Sequence, residues 1–159
     1  MQVSRIIAAP RRRIYDACMD PAALVAWLPP RGMHGQVLAF DPRPGGGYRM
    51  TLTYDAPSGG RGKTTADSDA VAVRFVELVP GERIVQAVDF ASDDAAYGGT
   101  MTMTWRFADA PGGTEVSVSV ENAPAGVSEA DHQAGIKSSL ENLAAFVGGA
   151  PTNAARFSK

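Results

Sequence analysis

Between residues 34 and 121 apolar and polar side chains alternate with a period of two, the pattern of strands buried on one face and wet on the other. The clearest stretch is Thr100 to Phe107. Met101, Met103, Trp105 and Phe107 share one face; Thr100, Thr102, Thr104 and Arg106 share the other. Tyr48 to Tyr54 sets Tyr48, Met50, Leu52 and Tyr54 against Arg49, Thr51 and Thr53. Thr114 to Val120 sets Val116, Val118 and Val120 against Ser117 and Ser119. His34 to Asp41, Val71 to Val79 and Arg83 to Phe90 complete the predicted strands. Turn formers separate them: Pro42 to Gly47, Pro80-Gly81 and Ala110 to Gly113. The phase of Val71–Val79 and Arg83–Phe90 is ambiguous, so whether Phe75 and Phe90 look inward stays open. The polar segments Ala56 to Asp69 and Ala91 to Gly99 are predicted loops.

At both ends of the chain the period changes to that of helices. A first strand, Val3 to Ala8, leads to Pro10, which suits the start of a helix because its missing N–H would have no partner there. That helix runs to about Met19 with Ile14, Ala17 and Cys18 on its apolar face. Asp20-Pro21 then reads as a cap and first turn of a second short helix carrying Leu24, Trp27 and Leu28, stopped by Pro29-Pro30. After residue 121, Ser128 to Asp131 fits a capping box, and Ile136, Leu140, Leu143, Ala144 and Val147 form one stripe ended by Gly148-Gly149. Runs of strands rather than alternating βα units predict an α+β fold. The expected architecture is a curved antiparallel sheet of about seven strands around a long C-terminal helix, with two short helices after the first strand. One domain, 1–148, and a tail, 149–159, are expected.

Composition narrows the function classes. Hydrophobic residues make up 45% and charged residues 20%, an ordinary globular balance, so a packed core is expected. A net charge of −2 argues against nucleic acid as a partner. The run Arg11-Arg12-Arg13 is expected on a solvated helix face. A lone cysteine, Cys18, cannot form an internal disulfide and fits a small buried position. The start MQVSRIIAAP lacks a leader's apolar stretch, and no run reaches the ~20 apolar residues of a membrane span. A cytoplasmic location is therefore expected.

The element order, and several short motifs, resemble a known family. Ile7 to Pro10 leading into a helix, Asp20-Pro21 through Trp27, Phe40 to Arg43 running into Gly45 to Met50, Phe75 to Pro80 with Glu82 to Val85, Gly113 to Glu115, and Gly135 through Leu140 to Leu143 stand in matching order. The chain resembles the helix-grip proteins of the START-like (SRPBCC) superfamily, which includes polyketide cyclases. More narrowly, it is similar to bacterial single-domain members of the family named for the activator of the 90-kDa heat-shock-protein ATPase. The resemblance covers about residues 3–148. One departure is Ile136, where many relatives carry Trp after the helix glycine; a smaller side chain there would reshape the pocket.

The resemblance implies an internal cavity between sheet and helix, and tips a set of side chains toward lining it rather than closing as a dry core. The expected ligand-binding residues are Trp27, Met33, Met50, Leu52, Tyr54, Phe75, Phe90, Met101, Met103, Trp105, His132, Gln133, Ile136 and Leu140. His132 and Gln133 would orient a polar group at the mouth. The leading expectation is a small hydrophobic or amphipathic ligand, with no cofactor and no metal. No catalytic motif stands out. A cyclase, dehydratase or hydrolase would need His34, His132 or Asp89 inside the cavity as acid or base. A chaperone-interacting stress-response module and self-association through a sheet edge are the remaining alternatives.

Overall fold

The computed structural model describes residues 1–55 and 68–148. The predicted tail, 149–159, and most of the predicted loop, 56–67, lie outside the described residues. The element order is β1 (Gln2–Ile7), α1 (Arg11–Cys18), α2 (Pro21–Trp27), β2 (Met33–Asp41), β3 (Gly47–Tyr54), β4 (Ser68–Val79), β5 (Arg83–Phe90), β6 (Met101–Ala110), β7 (Gly113–Glu121) and α3 (Glu129–Gly148), with one 3-10 turn, Ala95–Tyr97, before β6. Each expected element is present. Boundaries shift: β6 runs on to Ala110, and Ser68 and Asp69, expected in a loop, begin β4 and pair with Thr53 and Leu52.

The seven strands form one antiparallel sheet in the order β1-β7-β6-β5-β4-β3-β2. Six of them make a meander, and β1 adds to the far edge beside β7. The chain must therefore cross from one edge of the sheet to the other between β1 and β2. Helices α1 and α2 are that crossing. The sheet curls where extra residues enter its ladders, between Leu38 and Asp41 in β2 and between Phe75 and Glu77 in β4. Gly47 and Gly113 open β3 and β7 against a neighbouring backbone. A Cβ on either would lie 1.9 Å from the Val73 carbonyl oxygen or 2.1 Å from that of Ile7, so only glycine fits.

This topology makes the two ends of the sheet unlike. At one end sit the tight turns after β2, β4 and β6. Arg11 of α1 donates to the Gly81 carbonyl at 3.0 Å and to Asp109 at 3.1 Å, tying α1 to two of those turns. The other end carries the longer connections after β3, β5 and β7. Helix α3 starts at this loop end, where the Ser128 hydroxyl accepts from the Asp131 N–H, and runs back toward the turn end. It is fixed to the α2–β2 connection by polar bonds: Ser139 Oγ donates to the Leu28 carbonyl at 2.6 Å and Asn142 Nδ2 to the Pro29 carbonyl at 3.0 Å. The Arg31 N–H donates to Ser138 Oγ at 2.8 Å. No helix among the described residues is long and apolar enough to cross a membrane.

Candidate functional site

The register fixes which side chains look toward the helices. Tyr48, Val73, Val88 and Met101 form one cross-strand row on the inner face; Phe75, Gln86, Met103 and Val120 form the next; Ile84, Trp105 and Val118 the one after. The ambiguity over β4 and β5 is thereby settled. Phe75 and Phe90 both sit on the inner face, Phe90 opposite Val71.

The inner face divides by accessibility. At the turn end it is closed. Phe75 is 0% exposed, and Tyr48, Ile84, Trp105 and Phe107 are buried with it; Met50, Val88 and Met101, nearer the loop end, are buried as well. Helices α1 and α2 supply the plug. Trp27 packs edge-on to Trp105 with ring centroids 5.7 Å apart, and its indole N–H donates to the Ala17 carbonyl at 2.9 Å. Tyr15 meets Phe107 edge-on at 6.1 Å, and Phe40 stacks on Tyr48 at 5.5 Å. Burial pushes the Tyr48 hydroxyl and the Cys18 thiol well above their ordinary pKa values, since neither can ionise there without losing its hydration.

Toward the loop end the same face carries half-buried side chains, Met33, Leu52, Tyr54, Val71 and Phe90; Gln86 and Met103, a row nearer the turn end than the buried Val88 and Met101, are half-buried too. Asp69, opposite Leu52, is a buried carboxylate, 4% exposed, on this face. The Met103–Val120 row continues into a cleft of about 340 Å³ between Val120, the 123–127 connection, and Glu129 and His132 of α3. The β5–β6 connection leans over this end. Tyr97 packs against Phe90 with centroids 6.3 Å apart, and the Ala96 carbonyl accepts from the Gly126 N–H at 2.7 Å. Two elements at the loop end thus hold each other over the inner face. A second, smaller cleft of about 180 Å³ lies at the β1–α3 junction between Arg5, Lys137, Glu141, Val3, Ser4 and Leu140.

The candidate residues therefore fall into two groups. Met33, Leu52, Tyr54 and Phe90 come together at the accessible end, with His132 and Gln133 half-buried in the opening turns of α3 and Met103 half-buried farther toward the turn end. Trp27, Met50, Phe75, Met101, Trp105, Ile136 and Leu140 are buried in the core cluster. His34 is exposed, with its Nδ1 in a 2.7 Å hydrogen bond to Asp55 Oδ1. Asp89 is exposed and accepts from Thr100 Oγ1 at 2.6 Å. Neither looks into the interior. Sequence reasoning passed over Val71, Gln86 and Asp69. A polar Gln86 two residues from both Ile84 and Val88 was the signal for an inward amide, masked by the uncertain phase of β5; Asp69 was hidden by its assignment to a loop.

A curled antiparallel sheet gripping one long helix, with two short helices crossing its end, defines an α+β protein of the helix-grip class. Within that class the chain belongs to the family described as activator of Hsp90 ATPase homolog 1-like protein, whose pattern matches residues 8–148. Among solved structures it is similar to a protein from Chromobacterium violaceum, 35% identical over 94% of this chain and 97% of that one, with a TM-score of 0.83. A Rhodobacter sphaeroides protein at 21% identity covers 92% and 90% of the two chains with a TM-score of 0.75. The AHSA1-like protein from Aeromonas hydrophila, at 19% identity, covers 93% and 91% with a TM-score of 0.69. The last two likenesses show the fold alone. No curated protein matches this chain in sequence.

Proposed function

We propose that this chain binds a small apolar or amphipathic molecule on the inner face of the sheet at its loop end, between the strands and the opening turns of α3. One observation carries the reading. Val71 and Val73 stand two residues apart on one face of one strand, yet Val73 is sealed and Val71 is half-open. The same step separates Met50 from Leu52. A core without a guest would close these positions alike, because protein interiors pack to crystal-like density. The accessible residues are mostly apolar, and their wetted surface is a reserve of binding free energy, roughly 25 cal/mol for each Å² a ligand covers. A cleft of about 340 Å³ beside them falls in the usual range for small-molecule sites.

An acid–base enzyme has less support. His34 and Asp89 face outward, which leaves that chemistry to His132 and Asp69. The chaperone-interaction reading rests on the family name. Thermal shift and native mass spectrometry against a library of neutral and charged apolar compounds test the proposal. The expected result is a one-to-one complex and a raised Tm for at least one compound, both lost in Val71→Trp. A library without a single such compound would remove the proposal.

A further inference from the structure

We infer that the bound molecule is a slender amphipath with one long apolar chain, and that the chain runs inward across the strands, from the cleft at the start of α3 past Val120 and over Met103 to Gln86. The inference rests on the binding reading above and gives its ligand a shape and a direction.

Gln86 and Met103 stand side by side at the centre of the sheet, paired across β5 and β6 on the inner face. Both are half-buried. The inner-face residues around them are sealed: Phe75 is 0% exposed, Ile84 1%, Met101 2%, Val88 4%, Trp105 5% and Val120 6%. These neighbours share the same backbone ladder, so the ladder itself leaves almost no surface open. What Gln86 and Met103 keep open is therefore side-chain surface, and it faces the space between the sheet and the helices. Close packing would have covered it as it covers the neighbours.

The stagger of the strands gives the direction. The row Phe75–Gln86–Met103–Val120 crosses from β4 to β7. In β5 it lies behind Val88 and Phe90, well inside the sheet. In β7 it lies at Val120, beside the strand's last residue, Glu121. The row thus slants out of the interior and meets the loop end at β7. Val120 pairs with Met103 on one side and lines the cleft of about 340 Å³ on the other. Phe75 closes the far end.

Shape sets the class. The half-open strip is one row wide, because the rows flanking it, Val88–Met101 and Ile84–Trp105, are sealed. From Val120 to Gln86 it spans two strand spacings, roughly 10 Å. A single unbranched chain fits such a strip. A fused ring system would have to push the sealed rows apart, which is the cost of overpacking. Met103 at its centre has a flexible thioether that adapts to a chain lying on it. The wider cleft outside, with Glu129 and His132 on its wall, takes the polar head.

The test uses Trp105, the next inner-face residue after Met103, as reporter. Trp27→Phe leaves it the only tryptophan of the chain. Bromine quenches indole emission on contact, so decanol carrying bromine on its last carbon reports where the chain ends. The expected result is a one-to-one complex that loses more than half of the Trp105 emission, while unbrominated decanol binds without quenching. Val120→Phe and Met103→Phe are expected to abolish the quenching. Adamantanol, a compact cage with as many carbons as decanol, is expected to bind at least about tenfold more weakly. If Trp27→Phe fails to fold, the probes are read on the parent, whose two indoles are in edge contact. Bromodecanol that binds without quenching, quenching unchanged in both phenylalanine variants, or adamantanol as tight as decanol overturns the inference and leaves the loop-end site standing. Failure of both alcohols and of the whole compound library to bind overturns both.

Discussion

Along β3 and β4 the turn end and the loop end of the inner face are built from the same kinds of residue, yet one is closed and the other half-open. The cause is topological. Because β1 joins the far edge beside β7, the chain needs a crossing between β1 and β2, and the crossing brings Ile14, Cys18, Leu24 and Trp27 against the turn end. Nothing in the strand order demands an equivalent plug at the loop end. Among the described residues, the covering there comes from the β5–β6 connection, joined to the segment before α3 by the Ala96–Gly126 hydrogen bond. The lesson is that alternation along a strand identifies an inward face, while the route of the chain decides how much of that face is core and how much is site.

Two phenylalanines give the largest test of the contrast. Phe75 and Phe90 lie on neighbouring strands and the same face. Phe75→Ala would empty a closed volume among Phe40, Tyr48 and Gln86, and is expected to cost about 3–5 kcal/mol in urea unfolding. Phe90→Ala removes a ring whose surroundings are already partly open, and is expected to cost roughly 1–2 kcal/mol. Equal losses would erase the distinction between the two ends.

Additions sharpen what deletions reveal. Val73→Phe inserts extra carbon into a closed row between Tyr48 and Val88 and is expected to destabilise by about 1–3 kcal/mol. Val71→Phe, one step toward the loop end, has room to expand and is expected to cost less than about 0.5 kcal/mol. The same substitution should weaken any apolar ligand found in the library, because it occupies the guest's space. Denaturant midpoints and ligand titrations on the two variants check both halves.

Much of the fold was readable from pattern. The clean alternation in 48–54, 100–107 and 114–120 and the helical stripe after Ser128 placed those elements and named their inward residues. The division between core and site was less legible. Val71 and Val73 are the same residue type, on the same strand and face; only the packing at the turn end makes Val73 sealed while Val71 stays half-open. The bonds from Ser139 and Asn142 to the 28–29 carbonyls were invisible too, since they join segments more than a hundred residues apart. Gln86 was missed because β5 carries apolar residues on both faces, Ile84 and Val88 inward and Val85 and Ala87 outward, which blurs its phase.

The smallest expected effect probes the plug itself, through pH. Cys18 closes the end of α1 beside Tyr48, and burial holds its thiol well above the ordinary 9.0. In the unfolded chain the thiol ionises near that ordinary value; in the folded chain it stays neutral. Above pH 9 the unfolded chain therefore holds fewer protons than the folded one, so stability falls as pH rises and is fully present only below that point. One such group accounts for at most about 1.4 kcal/mol per pH unit. Cys18→Ala removes the titrating group, whatever it costs in packing. Its unfolding free energy, followed from pH 7 to 10, should run parallel to the parent's at first and then fall less steeply. If the two curves stay parallel throughout, the thiol ionises as freely in the fold as outside it. Water would then reach the turn end, and the asymmetry that defines the site would lose its closed half.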